Sequence, residues 1–207
     1  MALTVSWDRP IAIRGLETRL MQTFDDICVY GILGQYLHRF LLWKKDGDSM
    51  KAILQPLGKE IPSWSWMAYE GAIKYIDPLG STVQWMSDLR WPLSEPTAEH
   101  IGHHGLNWWS KIDYRSLVEI EAPIWDLLEL PVKGVMLDDN APFDAPHFKC
   151  VIVGISKRPT GINRQYYVLI VQRFLVDNVE VWKRRGVAVM EPRYIDLDGP
   201  RMVVRLK

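Results

Sequence analysis

The run Tyr166-Tyr167-Val168-Leu169-Ile170-Val171 is almost entirely apolar. A strand with this composition has no polar face to give to water, so it belongs at the centre of a sheet or buried on both faces. It needs flanking strands, and the sequence supplies them. Residues 116–128 alternate around Val118, Ile120, Ala122, Ile124 and Leu127, with Pro123 marking a bulge or an edge. Segments 132–137, 149–156, 166–174, 179–183, 187–190 and 202–206 read as further strands. Arg158-Pro159-Thr160-Gly161 and Asp198-Gly199-Pro200 are turn signals, and Asp177-Asn178 joins two strands at hairpin distance. Regular strands separated by turns point to a mainly β (α+β) chain, an antiparallel barrel or sandwich.

The N-terminal half is less regular. Pro10 suits a first helical turn, and Ile13, Leu16, Leu20, Met21 and Phe24 recur at helical spacing. Arg14, Glu17, Thr18 and Gln22 fall opposite, so one helix is expected over 10–24, its apolar stripe inward. Asp25-Asp26 is a poor dipole match for a helix end, so either the end frays or the acids cap something downstream. Residues 29–36 turn at Gly31 and Gly34; 37–45 fits either a short helix or a strand, with a strand favoured over 40–44; Asp46-Gly47-Asp48 reads as a turn, and 50–55 and 82–89 as short strands. From 92 to 110 no period survives, so a long loop is expected there.

Between these lies Ile61 to Asp77, IPSWSWMAYEGAIKYID. Alternation predicts a hairpin with Trp64 and Trp66 on one face, Ser63, Ser65 and Tyr69 on the other, and Gly71 at the turn. Indoles bury large areas, so these rings are either core pillars or the lining of a ligand cavity.

PSWSWMAYEGAI at 62–73 resembles a segment that follows the N-terminal domain of fungal heterokaryon-incompatibility (HET) proteins. DRPIAIRGLETRL at 8–20, FLLWKK at 40–45, and YYVLIVQRF and VWKRRGVAVM later in the chain are similar to other parts of the same region. The resemblance covers most of the chain and implies one HET-C-terminal-like β-rich domain over 1–207. The trigger domain itself would lie ahead of residue 1 and is not in the sequence. The resemblance carries no catalytic residues with it.

A chain of 207 residues suffices for one sizeable core. Equal numbers of basic and acidic residues, 25 each, leave no global field for nucleic acid or an anionic surface. The short run Lys183-Arg184-Arg185 is expected to be a solvated strand end. Cys28 and Cys150 lack metal or redox spacing and sit among apolar residues, so buried free thiols are expected. No signal peptide or bilayer-spanning run is visible, and a cytoplasmic, reducing compartment is the expectation.

Phosphate loops, nucleophile elbows, HExxH, CxxC and calcium-loop patterns are all missing, so no cofactor and no metal are expected. The densest titratable cluster is His100, His103 and His104 beside Glu99, which suits proton transfer. Glu70, next to the aromatic stretch, would have its pKa raised among indoles and could act as a general acid or base. Catalytic candidates are therefore Glu70, His103 and His104. Trp43, Trp64, Trp66, Tyr69, Trp85, Trp108 and Trp109 are the candidate substrate-binding rings, with Asp113 and Tyr114 as weaker additions.

Two functions follow. One is a cofactor-independent enzyme of fungal secondary metabolism. It would hold a hydrophobic small molecule in an aromatic pocket and promote cyclisation or isomerisation, including pericyclic closure, by preorganisation. The alternative is a non-catalytic protein-interaction module related to heterokaryon incompatibility. They differ in one observable: an enzyme needs a hollow, whereas a module has a filled interior and an exposed apolar patch.

Overall fold

The computed structural model describes residues 9–48, 50–54, 61–91, 119–131, 133–138, 148–159, 161–176 and 178–207, without the side chains of 9–11. Helix α1 (Arg9–Phe24) is followed by β1 (Cys28–Val29), β2 (Ile32–Leu33), α2 (Leu37–Leu41), β3 (Trp43–Lys45), β4 (Lys51–Ala52), β5 (Tyr69–Glu70), β6 (Ile73–Tyr75) and β7 (Val83–Trp85). Then come β8 (Ile120–Asp126), β9 (Val135–Leu137), β10 (Phe148–Ser156), β11 (Tyr166–Val176), β12 (Val179–Met190) and β13 (Met202–Leu206).

Strands β8, β10, β11, β12 and β13 close into a five-stranded barrel, because β11 pairs with β12 as well as β10 and β13 returns to β8. All neighbours are antiparallel except β12 and β13, which meet in parallel at Trp182 and Leu206. Of the expected mainly β alternatives, an antiparallel barrel or sandwich, the barrel is the one observed, with one parallel pair in it. Val168 to Val171 are fully buried, as their composition requires. The expected break between 183 and 187 is absent: β12 is continuous, paired with β11 from Tyr166↔Met190 to Val176↔Val179. One core cluster takes Ile120, Ala122 and Ile124, Val151 and Val153, Leu169 and Val171, Val187, and Val204 and Leu206, thus drawing on all five barrel strands. The same cluster includes Ile32, Leu37, Leu41, Leu42 and Trp64 of the N-terminal half, so barrel and N-terminal layer share one interior.

The N-terminal half departs from expectation. Residues 37–41 are helical, so of the anticipated strand at 40–44 only 43 and 44 are extended, within Trp43–Lys45. The Trp stretch is not a hairpin: Trp66–Ala68 forms a 3-10 turn, β5 pairs with β4, and β6 pairs with β3. The turn breaks the alternation, and Ser65 is buried with Trp64. Ser65 caps this turn, its Oγ accepting from Met67 N at 3.1 Å and donating to Tyr30 O at 2.8 Å. A buried hydroxyl already bonded twice carries little unsatisfied cost. Cys28–Val29 and Ile32–Leu33 form a tight hairpin around Tyr30 (φ 49°) and Gly31 (φ 73°), the geometry of a primed two-residue turn.

Helix α1 spans the expected residues but packs differently. Met21 and Glu17 face inward, whereas Leu16 and Phe24 are exposed. Asp26 does cap downstream: its carboxylate accepts from Ile27 N at 2.8 Å and Gln35 N at 2.6 Å. The expected loop at 92–110 lies outside the described residues. Among the described residues no helix is long and apolar enough to cross a membrane.

Candidate functional site

Strand β12 puts Arg184 on the same side as Trp182, just before a bulge that shifts pairing between Val171↔Arg184 and Ile170↔Gly186. Arg184 is 0% exposed and Asp138, just past β9, is 1% exposed. The guanidinium forks onto that carboxylate, Nε to Oδ2 at 2.9 Å and Nη2 to Oδ1 at 3.1 Å. Nη1 donates to Leu41 O at 2.6 Å and Nη2 to Trp43 O at 2.5 Å. Its plane lies over the Trp43 ring, 3.5 Å from the centroid. Ser63 Oγ accepts from Arg184 N at 2.9 Å and donates to Lys207 O. A buried cation is tolerated only when paired and bonded, and Arg184 is both. The expectation of a solvated strand end is thus corrected: the run lies mid-strand, and its middle residue pins the N-terminal layer to the barrel.

The aromatic rings pack around this pin. Trp43 Nε1 donates to Trp64 O at 2.8 Å, and the Tyr69 ring lies 5.5 Å from that of Trp43. Trp64 is met by Trp91 at 5.3 Å and Tyr30 at 6.0 Å, both edge to face. Trp43 and Trp64 are 0% exposed. A ring bordering a chamber large enough for one water would keep accessible area, so neither ring lines a hollow. At these two positions the core-pillar reading holds and the cavity reading does not. Tyr69 is buried, while Trp66, Trp85 and Glu70 are half-buried. Glu70 sits across from Lys51 in the β4–β5 pair. His103, His104, Trp108 and Trp109 lie outside the described residues, as do His100, Glu99, Asp113 and Tyr114.

Sequence reasoning missed three polar groups, two buried and one half-buried. Arg184 was signalled by its place on the apolar face of a period-2 strand, beside Trp182. Glu17 is the second: it leaves the expected polar face of α1, and its Oε1 accepts from Gly31 N at 2.8 Å. Burial raises its pKa, against the lowering effects of the Gly31 bond and Arg14. The third is His38, whose ring lies 5.9 Å from Trp85 and whose Nε2–H donates to Met86 O at 2.6 Å. Burial lowers its pKa, which favours the neutral imidazole. Cys28 and Cys150 are buried free thiols, as expected. Burial, with Glu17 and Asp26 nearby, pushes Cys28 up to about 12, and burial raises Cys150 as well. Both are therefore thiols, not nucleophilic thiolates, at neutral pH.

A cleft of about 340 Å³ lies at the end of the barrel where β11 begins and β12 leaves. Pro131, Lys133, Gln165, Val189, Met190, Glu191 and Tyr194 line it. None belongs to the aromatic layer. Among the described residues no cluster of three or more His, Cys, Asp or Glu is placed to hold a metal. No family model, curated protein or solved structure matches the chain.

Proposed function

We propose that the chain is a non-catalytic protein-interaction module. The observation that carries this reading is the covered state of the aromatic layer. Arg184 and Tyr69 occupy the surroundings of Trp43, and Tyr30 and Trp91 those of Trp64, where a guest molecule would have to sit. The outer side of α1 supports the same reading. Leu16 is 56% and Phe24 46% exposed, and Phe24 meets the exposed Tyr36 ring edge to face at 6.5 Å. Exposed leucine and aromatic rings on one helix are the anchors used when a helix face meets a partner groove. A cytoplasmic location goes with this proposal.

The test is proximity labelling in cells by the native chain and by a Leu16→Glu/Phe24→Glu variant. Both positions are exposed, so the variant keeps its fold, which circular dichroism checks. A defined set of neighbours lost with the variant is expected; identical sets would overturn the α1 surface. In parallel, terpenoid and polyketide precursors are expected to leave the melting temperature unchanged. A saturable rise would replace the module with the cofactor-free cyclase or isomerase.

A further inference from the structure

The geometry points to the barrel-end cleft as a binding site for a small organic acid, a carboxylate carried on an apolar body. The inference is independent of the module reading, since no residue of α1 or of the aromatic layer takes part.

The walls of the cleft are held before any ligand arrives. The segment before β9 is tied to β12 by Val189 N donating to Gly134 O at 3.2 Å. Gln165 is locked to β10 from two directions. Its N donates to Ser156 Oγ at 2.8 Å and its O accepts from Ser156 N at 2.8 Å. The turn carrying Tyr194 is anchored by Leu128 N to Tyr194 O at 3.0 Å and Asp196 N to Asp126 O at 2.9 Å. Three backbone-anchored walls mean little ordering on binding, which is where small ligands lose affinity. The volume is at the low end of the roughly 300–1,000 Å³ typical of ligand pockets.

The lining chemistry selects the ligand. Met190 is buried, and with Val189 and Pro131 it offers an apolar floor. Glu191 is engaged by Arg193, Nε to Oε2 at 3.0 Å, so its charge is already answered. Tyr194 Oη accepts from Arg193 Nη2 at 3.0 Å, which leaves its own proton to donate. Lys133 is exposed at the rim and has no ion-pair partner among the described residues. The surplus is therefore one cation and one phenolic donor, and the Gln165 amide, which gives one N–H to Asn163 O at 3.4 Å, keeps a second, all among apolar lining side chains. A carboxylate satisfies the donors and its hydrocarbon body covers the floor, whereas a cation would meet Lys133 unfavourably.

The probes are 4-phenylbutyrate and its neutral amide, followed by amide chemical shifts of the full-length protein. At roughly 10 mM a millimolar site is nearly filled. The acid is expected to perturb Gln165 and Val189 to Tyr194 saturably, and the amide to bind at least about fivefold more weakly, a modest share of one charged hydrogen bond. Lys133→Glu, an exposed change compatible with folding, is expected to weaken the acid by at least about fivefold and leave the amide unaffected. Equal affinity for acid and amide, shifts confined to another surface, or no shift at this concentration would each overturn the proposal.

Discussion

The barrel and the N-terminal layer share one core but are built on different terms. Barrel strands β10, β11 and β12 run 9, 11 and 12 residues and find their partners through long registers. Strands β1 to β7 are 2 or 3 residues each and pair in separate two-stranded patches or, for β7, at the margin of β10. Two-stranded patches are marginal alone. Apolar burial ties the layer to the shared core through Ile32, Leu37, Leu41, Leu42 and Trp64. Polar anchors fix how it sits there: Arg184 from the barrel, and Ser63, Ser65 and Glu17 within the layer. The barrel is ordered by long strand registers; the layer is ordered by a few specific bonds, and it should loosen at those bonds first.

The sharpest way to break the contrast is Arg184→Met. It removes the guanidinium from the buried Asp138 carboxylate and from Leu41 O and Trp43 O, and breaking a buried pair in this way typically costs about 3–5 kcal/mol. Urea unfolding should report that loss, and hydrogen exchange should speed more at Trp43 and Tyr69 than along β10 and β11. Adding Asp138→Leu should recover most of it. A loss below about 1 kcal/mol would mean that the layer is not pinned there.

Gly186→Ala probes the barrel side. A Cβ at Gly186 would lie 2.4 Å from Met136 O and 2.9 Å from Leu137 Cα, both backbone atoms of β9. Strand β9 must move, for an expected cost of about 1–3 kcal/mol. Here exchange should quicken in β9 and β12 while the layer follows only with global unfolding. Equal acceleration in the layer would erase the distinction.

Glu17→Gln is a smaller, pH-dependent test. The folded state raises the Glu17 pKa above its ordinary 4.5, mainly by burial. The contribution from this group is therefore fully present below the unfolded pKa and is lost as pH rises through the folded value. Glutamine keeps an oxygen for Gly31 N and removes the charge. The variant should be the more stable at neutral pH and show a flatter stability profile as pH rises above the unfolded Glu17 pKa. Unfolding midpoints at several pH values check this; a variant destabilised equally at every pH would assign Glu17 a purely structural role. Least affected should be Lys74→Ala. Lys74 and Asp46 pair at 2.6 Å with both side chains about half exposed, and such pairs contribute under about 1 kcal/mol.

Barrel and layer also differ in how far the chain betrays them. The strands at 120–126, 148–156, 166–176 and 202–206, and the α1 helix, follow from period and turn residues alone, because alternation and helical spacing are local properties. Three readings of the N-terminal half did not survive. Residues 37–41 took the helical option since Leu37 and Leu41, four apart, both reach the shared core. The Trp66–Ala68 turn interrupted an alternation that looked sound. Leu16 and Phe24 were expected inward, but Glu17 bonds Gly31 and rolls the helix about its axis. In each case a distant partner decided between local states of similar energy.

By itself, the sequence determined that this is a mainly β chain with a central apolar strand, one N-terminal helix and two inert buried thiols, because burial of apolar surface in a fixed period leaves few alternatives. Only the tertiary structure decided that β12 and β13 run in parallel, that Arg184 lies inside, and that Trp43 and Trp64 enclose no hollow. The burial of Arg184 depends on which backbone carbonyls and which carboxylate arrive within hydrogen-bond reach of its guanidinium, from positions 41, 43 and 138, and spacing along a chain does not encode such arrivals.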